Sequence, residues 1–386
     1  MNGFDGRSPV LCKAPMASMY FDNLGKVRAC CQNSVSVMGD VTRQSLRQIW
    51  DGAEAASLRS ALGTGTYPPG CELCRWMDAS GNPDLVYARN FDDLSAVDDT
   101  WFVRRRRVLS RRWPQQMEFS ISNACNLQCV MCSGEFSSAI RVHREHLPAL
   151  PTVYGERFFA ELAEFLPHLD RVKVLGGEPF LAPESLRLLD LLAGLARIPR
   201  ISLTTNATQW NARVESILGR LPIDLVVSLD GVRPETYEAI RVGARLDVVL
   251  ANLDRYRAAA TARGRELWLA HCLMTHNWSE FPDFLRFAED RALPVGINVV
   301  QYPNESSLYQ QDAAYLVDVL EVLGTHDHLL TSQLTGSRLD AWRSQLRALR
   351  AHLDSFALPA EQRLAPTPYL GPSHGPPGDV PNDDPT

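Results

Sequence analysis

The residues of this chain best suited to chemistry are its thiols. The stretch "CNLQCVMC" sets Cys125, Cys129 and Cys132 four and three residues apart; Cys12, Cys30, Cys31, Cys71 and Cys74 lie ahead of it, and Cys272 stands alone behind. The opening "MNGFDGRSPVLCKAP" lacks the charged and apolar blocks of a secretion signal. The expected address is therefore the cytoplasm, where disulfides are disfavoured and nine cysteines read as metal ligands, reactive thiols or buried packing residues. Three close thiolates do not by themselves make the four-ligand zinc pattern, and His143 or His146 would have to complete a Cys3His site. The sharper expectation is a 4Fe-4S cube with three irons on Cys125, Cys129 and Cys132 and a fourth iron open to a ligand.

The elements that must position these thiols divide the 386 residues into unlike segments. Residues 1–85 form a small cysteine-bearing module. It holds a hairpin in "SMYFDNLGKVRACC", turning at Asn23 and Gly25, a helix in "SLRQIWDGAEAASLRSAL", and a closing "YPPGCELC". It has few large apolar residues, so a metal is expected to take over part of the structural role. Residues 86–115 read as a linker whose basic run, Arg104 to Arg107 with Arg111 and Arg112, is a solvated face. Residues 116–305 alternate six β-rich runs, "MEFSIS", "RVKVLG", "ISLTTN", "DLVVSLD", "ELWLAHCLM" and "VGINVVQY", with amphipathic helices. That alternation predicts repeated βα units and a parallel sheet. Residues 306–360 are helical, with a stripe of Leu339, Trp342, Leu346, Leu349 and Leu353 expected to pack on the outside of the sheet, and residues 361–386 have the Pro/Gly/Asp composition of a disordered tail.

Right-handed crossovers bring the C-terminal ends of parallel strands to one side, where loops build a site. Cys125 to Cys132 follow the first strand, Gly176 to Pro179 the second, Thr205 and Asn206 end the third, Ser228 and Asp230 the fourth, and Asn277 lies just past the fifth. Gly176 and Gly177 lack side chains, so the backbone there is expected to approach a ligand, and Glu178 is able to accept from an ammonium group. Net charge −6 gives no general attraction to nucleic acid or an anionic membrane surface, and no apolar run is long enough to span a bilayer.

"SNACNLQCVMC" after one strand and "VLGGEPFL" after the next resemble the radical S-adenosylmethionine enzymes, whose signature is C-x3-C-x2-C. The resemblance covers residues 116–305 and implies a partial (β/α)6 TIM-like barrel. It also implies that Glu178 receives the methionyl amino group, that Ser228 and Asp230 hold the ribose, and that Asn206 and Asn277 are further contacts; Met131 stands where relatives place a residue beside the adenine. Cys12, twelve residues, Gly25, four residues and Cys30, then Cys71-x2-Cys74, resemble the first part of a SPASM module or its shorter twitch form. That implies one auxiliary 4Fe-4S cluster, since Ser80 occupies a later cysteine position, in a module that here precedes the barrel. A zinc ribbon is the competing reading. Of Cys30 and Cys31, the spacing favours Cys30 as ligand.

The activity implied is reductive cleavage of S-adenosylmethionine, with an electron from flavodoxin or ferredoxin, to a 5'-deoxyadenosyl radical that takes hydrogen from a substrate carbon. Two outcomes are open. Transfer of the substrate radical's electron to an auxiliary cluster gives oxidative tailoring of a ribosomally made peptide or other natural product. Return of hydrogen from Cys272 gives epimerisation, and sugars or cyclitols are alternative substrates. A non-catalytic iron-sulfur electron carrier is the reading from another class.

Overall fold

The computed structural model describes residues 11–33, 35–79, 86–94 and 112–358. The basic run at Arg104 to Arg107 with Arg111, and the tail 361–386, lie outside them. Among the described residues nine strands form one open sheet in the order β3-β2-β1-β4-β5-β6-β7-β8-β9. The six expected runs are β4 (Gln116–Phe119), β5 (Arg171–Val174), β6 (Arg200–Thr205), β7 (Ile223–Ser228), β8 (Leu267–Leu273) and β9 (Val295–Val299). They pair parallel in chain order, with helices in the crossovers. This is an α/β partial (β/α)6 barrel whose sheet does not close.

The hairpin forms as expected from β1 (Ser18–Phe21) and β2 (Lys26–Arg28), with β3 (Gly39–Asp40) added beyond it. Gly25 takes φ +87° in the turn, and the Asp22 carboxylate accepts from the N–H groups of Leu24 and Lys26. The expected single helix after it is broken at Asp51 and Gly52 into Leu46–Trp50 and Ala53–Gly63, the first opened by a reciprocal cap between Ser45 and Gln48.

The sequence does not announce where this hairpin goes. Strand β1 pairs parallel to β4, Ser18 opposite Gln116 and Phe21 opposite Phe119, so the N-terminal module extends the barrel sheet rather than standing apart from it. Phe21 stacks on Phe119 at 5.2 Å and meets Phe158 edge-on at 5.6 Å, joining the two parts in one apolar core. The linker reading is corrected at its start: Tyr87–Phe91 is a 3-10 turn, and Val86, Ala88, Phe91 and Leu94 are buried against the module. Helix Gly336–Ser355 packs on β9 and its neighbouring helices, with Trp342 stacked on Phe281 at 5.9 Å.

Burial alternates along the barrel strands. Val172 and Val174, Ile201 and Leu203, and Leu225 and Val227 face the helices and are buried. Arg171, Lys173, Ser202, Val226, Ser228, Ala270 and Cys272 stay partly exposed on the helix-free face. Among the described residues no helix is long and apolar enough to cross a membrane.

Candidate functional site

The loop 125–132 leaves the C-terminal end of β4 and is pinned from several sides. Gln128 and Val130 donate their N–H groups to the carbonyls of Val242 and Ile240, both at 2.9 Å. The Ser137 hydroxyl donates to Leu127 O at 2.6 Å, and Ser138 Oγ receives the Cys125 N–H and donates to its carbonyl, both at 3.1 Å. Arg144 donates to the carbonyls of Cys129 and Cys132. Two side chains point donors at sulfur: Arg241 at Cys129 Sγ and Asn206 at Cys125 Sγ, each at 3.9 Å.

The glycines of "GGEP" answer to this loop. A Cβ on Gly176, at φ +83°, would fall 2.1 Å from Ser120 Oγ, and one on Gly177, at φ +53°, would fall 2.5 Å from Ala124 O. The close approach they permit is to the chain segment leading into the cysteines. Glu178, expected to accept from a ligand ammonium group, is already engaged within the protein. Its carboxylate is fully buried and accepts from Thr205 Oγ1 at 2.8 Å, Asn206 N at 2.7 Å and Phe180 N at 3.3 Å, so it ties the end of β5 to β6. Burial pushes its carboxyl up to about 7 against the pull of those hydrogen bonds.

Asp230 and Asn277 are likewise engaged within the protein. Asp230 is fully buried; its Oδ2 receives Arg241 at 2.7 Å from both Nε and Nη2, and its Oδ1 receives the Cys272 N–H at 2.7 Å. Asn277 donates to Asp230 O and Cys272 O at 2.9 Å and accepts from Met274 N at 2.8 Å, clamping the ends of β7 and β8 together. Asn206 is held by Asn126 and Thr208. Of the expected nucleoside contacts, Ser228 alone is partly exposed on the helix-free face with no partner among the hydrogen bonds of the described residues. Met131 packs with Val130 and Cys272 against Ile240, Met274 and Val300. His271 turns the other way, stacked on Phe284 at 4.1 Å, while Cys272 has Asn298 Nδ2 4.0 Å from its sulfur. His143 and His146 are exposed.

Arg241 escapes a reading of the sequence. In "EAIRVGARL" it looks like one more surface arginine, and only the fold shows it buried between Asp230 and Cys129, where burial, the largest single effect, pulls its pKa down but the combined attraction of Asp230, Cys129 and Tyr237 raises it overall.

The second group of thiols rings a cavity at the opposite end of β1. Cys12, Cys30, Cys71 and Cys74 line it with Leu58, Leu62, Tyr67 and Tyr87, whereas Cys31 does not. Cys31 lies instead beside Tyr87 and Glu118. The Ala14 N–H and Asn33 Nδ2 point at Cys12 Sγ and Cys71 Sγ, each at 3.4 Å. Burial pushes the thiols up, Cys12 and Cys132 to about 12 and Cys71 to about 11. Such crowded buried thiols ionise together only around compensating positive charge, which is the chemistry of a metal-cluster donor set. Among the described residues no three His, Cys, Asp or Glu side chains are drawn in around a single metal ion.

A cysteine loop at the mouth of a parallel half-barrel and a second thiol cage on the flanking hairpin are the two regions that comparison with known proteins matches. Residues 119–288 match the radical SAM superfamily, and residues 12–75 match the SPASM iron-sulfur cluster-binding domain. The chain carries both domains, and its cofactors are 4Fe-4S clusters and S-adenosylmethionine. Among curated proteins it is similar to GTP 3',8-cyclase of Pseudomonas entomophila, 28% identical over 181 residues that cover 46% of this chain and 51% of that protein. It is also similar to GTP 3',8-cyclase of Synechococcus elongatus, 26% identical over 233 residues, 59% of this chain and 62% of that one. The chain thus spans about half to three-fifths of the length of the curated relatives it matches. Among solved structures it aligns with Streptococcus suis SuiB bound to precursor peptide SuiA, at TM-score 0.42 and 16% identity, covering 72% of this chain and 63% of that one. It aligns with anSMEcpe with bound AdoMet at TM-score 0.41 and 14% identity, covering 57% and 63%.

Proposed function

We propose that this protein is a cytoplasmic radical SAM enzyme that oxidises a peptide or peptide-like substrate, taking its electron from a flavodoxin or ferredoxin. The observation that carries the reading is the parallel pairing of β1 with β4. It sets the two thiol groups at opposite ends of a four-residue strand pair, about 13 Å long at ~3.3 Å per residue, with the helix-free face of the sheet between them. A substrate on that face has radical generation at one end and an electron acceptor at the other.

Cys125, Cys129 and Cys132 hold the first cluster, and Cys12, Cys30, Cys71 and Cys74 the second. When bound, the first cluster and S-adenosylmethionine supply a 5'-deoxyadenosyl radical that takes hydrogen from a substrate carbon. Gly176 and Gly177 let the β5 loop close on the cysteine loop, and Glu178 fixes that closure to β6. Ser228 contacts the nucleoside from the helix-free face. Met131 and its apolar neighbours exclude water beside the cluster. Arg241 and Asn206 direct N–H groups at the sulfurs and so favour the reduced, more negative cluster.

The test is anaerobic reduction with S-adenosylmethionine and chromatographic detection of 5'-deoxyadenosine. The wild type forms it, and replacing Cys125, Cys129 and Cys132 by Ala abolishes it. Cys71→Ala with Cys74→Ala still forms it but makes no oxidised product; a double variant that turns over substrate normally removes the oxidative role. Cys272, which shares with Met131 the apolar group of Ile240, Met274 and Val300, supports a second reading as hydrogen donor in an epimerisation. In that case Cys272→Ala consumes S-adenosylmethionine without producing epimer.

A further inference from the structure

The helix-free face holds a polar cleft at the N-terminal ends of the barrel strands, lined by Arg171, Lys173, Arg200, Asp224, Glu266 and Trp268. Its cations are not equivalent. Arg171 is met by both oxygens of Asp93. Arg200 is held by Asp224 at 2.5 Å and lies 3.8 Å from Glu266. Lys173, whose side chain is 28% exposed, has only loose polar contacts among the described residues: Glu118 Oε1 at 3.5 Å and the Tyr87 hydroxyl at 3.3 Å. That Glu118 oxygen is already taken by Gln116 Nε2 at 2.6 Å. An ammonium group has three donors and forms its strong bonds to carboxylates at about 2.7–2.9 Å, so Lys173 retains capacity for an acceptor arriving through the cleft.

Its position gives that capacity a use. Glu118, Lys173, Ser202 and Asp224 form one continuous row across β4 to β7. At the β4 end, Tyr87 hydrogen-bonds Glu118 and Lys173 while its ring lines the cavity of Cys12, Cys30, Cys71 and Cys74. A group held by Lys173 therefore lies beside the second thiol cage. We infer that Lys173 anchors a single carboxylate of the substrate, an acidic side chain or terminal carboxylate of a peptide, with the Trp268 indole, 36% exposed, across the same cleft on β8 as an apolar wall. A polyphosphate fits poorly. The three cations of the cleft already face four carboxylates, Asp93, Glu118, Asp224 and Glu266, so several added negative charges meet repulsion with one loosely held cation to offset them.

This inference names the substrate class for the reading above, and it is tested without any radical chemistry, so the two fail separately. The chain contains three lysines, Lys13, Lys26 and Lys173. Selective ε-13C labelling gives three NMR signals, with Lys173 identified by its loss in Lys173→Met. Titration of the full chain with N-acetyl-glutamate N-methylamide is expected to move the Lys173 signal saturably. The uncharged N-acetyl-glutamine N-methylamide should bind at least tenfold more weakly, and tripolyphosphate should give no saturable shift of that signal. Glu118→Gln, which removes the competing carboxylate, should tighten the glutamate probe several-fold, and this variant does not depend on Lys173→Met remaining folded. Equal binding of the glutamine probe, an unmoved Lys173 signal, or weaker binding in Glu118→Gln overturns the assignment. Tighter binding of tripolyphosphate than of the glutamate probe overturns it in favour of a phosphorylated substrate.

Discussion

The two thiol groups sit in opposite kinds of surroundings. The loop 125–132 is held by polar groups: the Asp230–Arg241 pair, Asn206 with Asn126, Ser137, Ser138 and Arg144. The N-terminal cage is walled largely by apolar and aromatic side chains, Leu58, Leu62, Leu73 and Phe91 with Tyr67 and Tyr87. A cluster that binds and cleaves a polar cosubstrate needs fixed dipoles and a route in; a cluster that only accepts an electron needs four thiolates and insulation. The contrast therefore fits the proposal that one end of the sheet does chemistry and the other receives electrons.

The largest effect should come from breaking the polar side. Asp230→Ala leaves the Arg241 guanidinium buried without its carboxylate, and a loss of about 3–5 kcal/mol is expected in chemical denaturation. Adding Arg241→Met should recover most of that loss, because an apolar chain of similar volume needs no partner. On the apolar side, Leu62→Ala should cost about 2–4 kcal/mol through the cavity it opens, with no recovery from any charge change. A cost below about 0.5 kcal/mol there would mean that the cage wall is not packed as described.

A smaller effect distinguishes the two ends by pH. The Glu178 carboxyl titrates near 7 when folded, above its ordinary value of 4.5, so the folded chain binds the extra proton between those values. Its contribution to stability must then fall as pH rises through that window, by on the order of 3–4 kcal/mol, since each tenfold difference in proton affinity is worth ~1.4 kcal/mol. Denaturation of wild type and Glu178→Gln at pH 5, 6, 7 and 8 checks this. The difference between the two curves should change with pH and level off above about 7.5; a constant difference would remove the role given to burial.

Much of this is readable from the residues, for local reasons. The six barrel runs are short and β-rich, with burial alternating along β5, β6 and β8, and the hairpin carries its turn signals at Asn23 and Gly25, so both show in short windows. The cysteine spacings are likewise local. The pairing of β1 with β4 joins residues nearly a hundred positions apart and leaves no mark in either strand. Glu178, Asp230 and Asn277 do lie at strand ends as expected, but their bonds to neighbouring strands are not legible, because a polar side chain there looks the same in sequence whether it meets a ligand or a neighbouring strand. Tyr87 and Phe91 look like linker because their partners are the cage and β5, far away in the chain.

That one sheet carries two iron-sulfur clusters on two separate thiol sets is tested most directly by iron, sulfide and zinc analysis of anaerobically reconstituted protein. About eight irons per chain are expected, falling to about four when Cys125, Cys129 and Cys132 are replaced by Ala, and to about four when Cys71 and Cys74 are replaced instead. One zinc with four irons in the wild type, the zinc lost with Cys71 and Cys74, would contradict the second cluster and the electron-accepting role built on it.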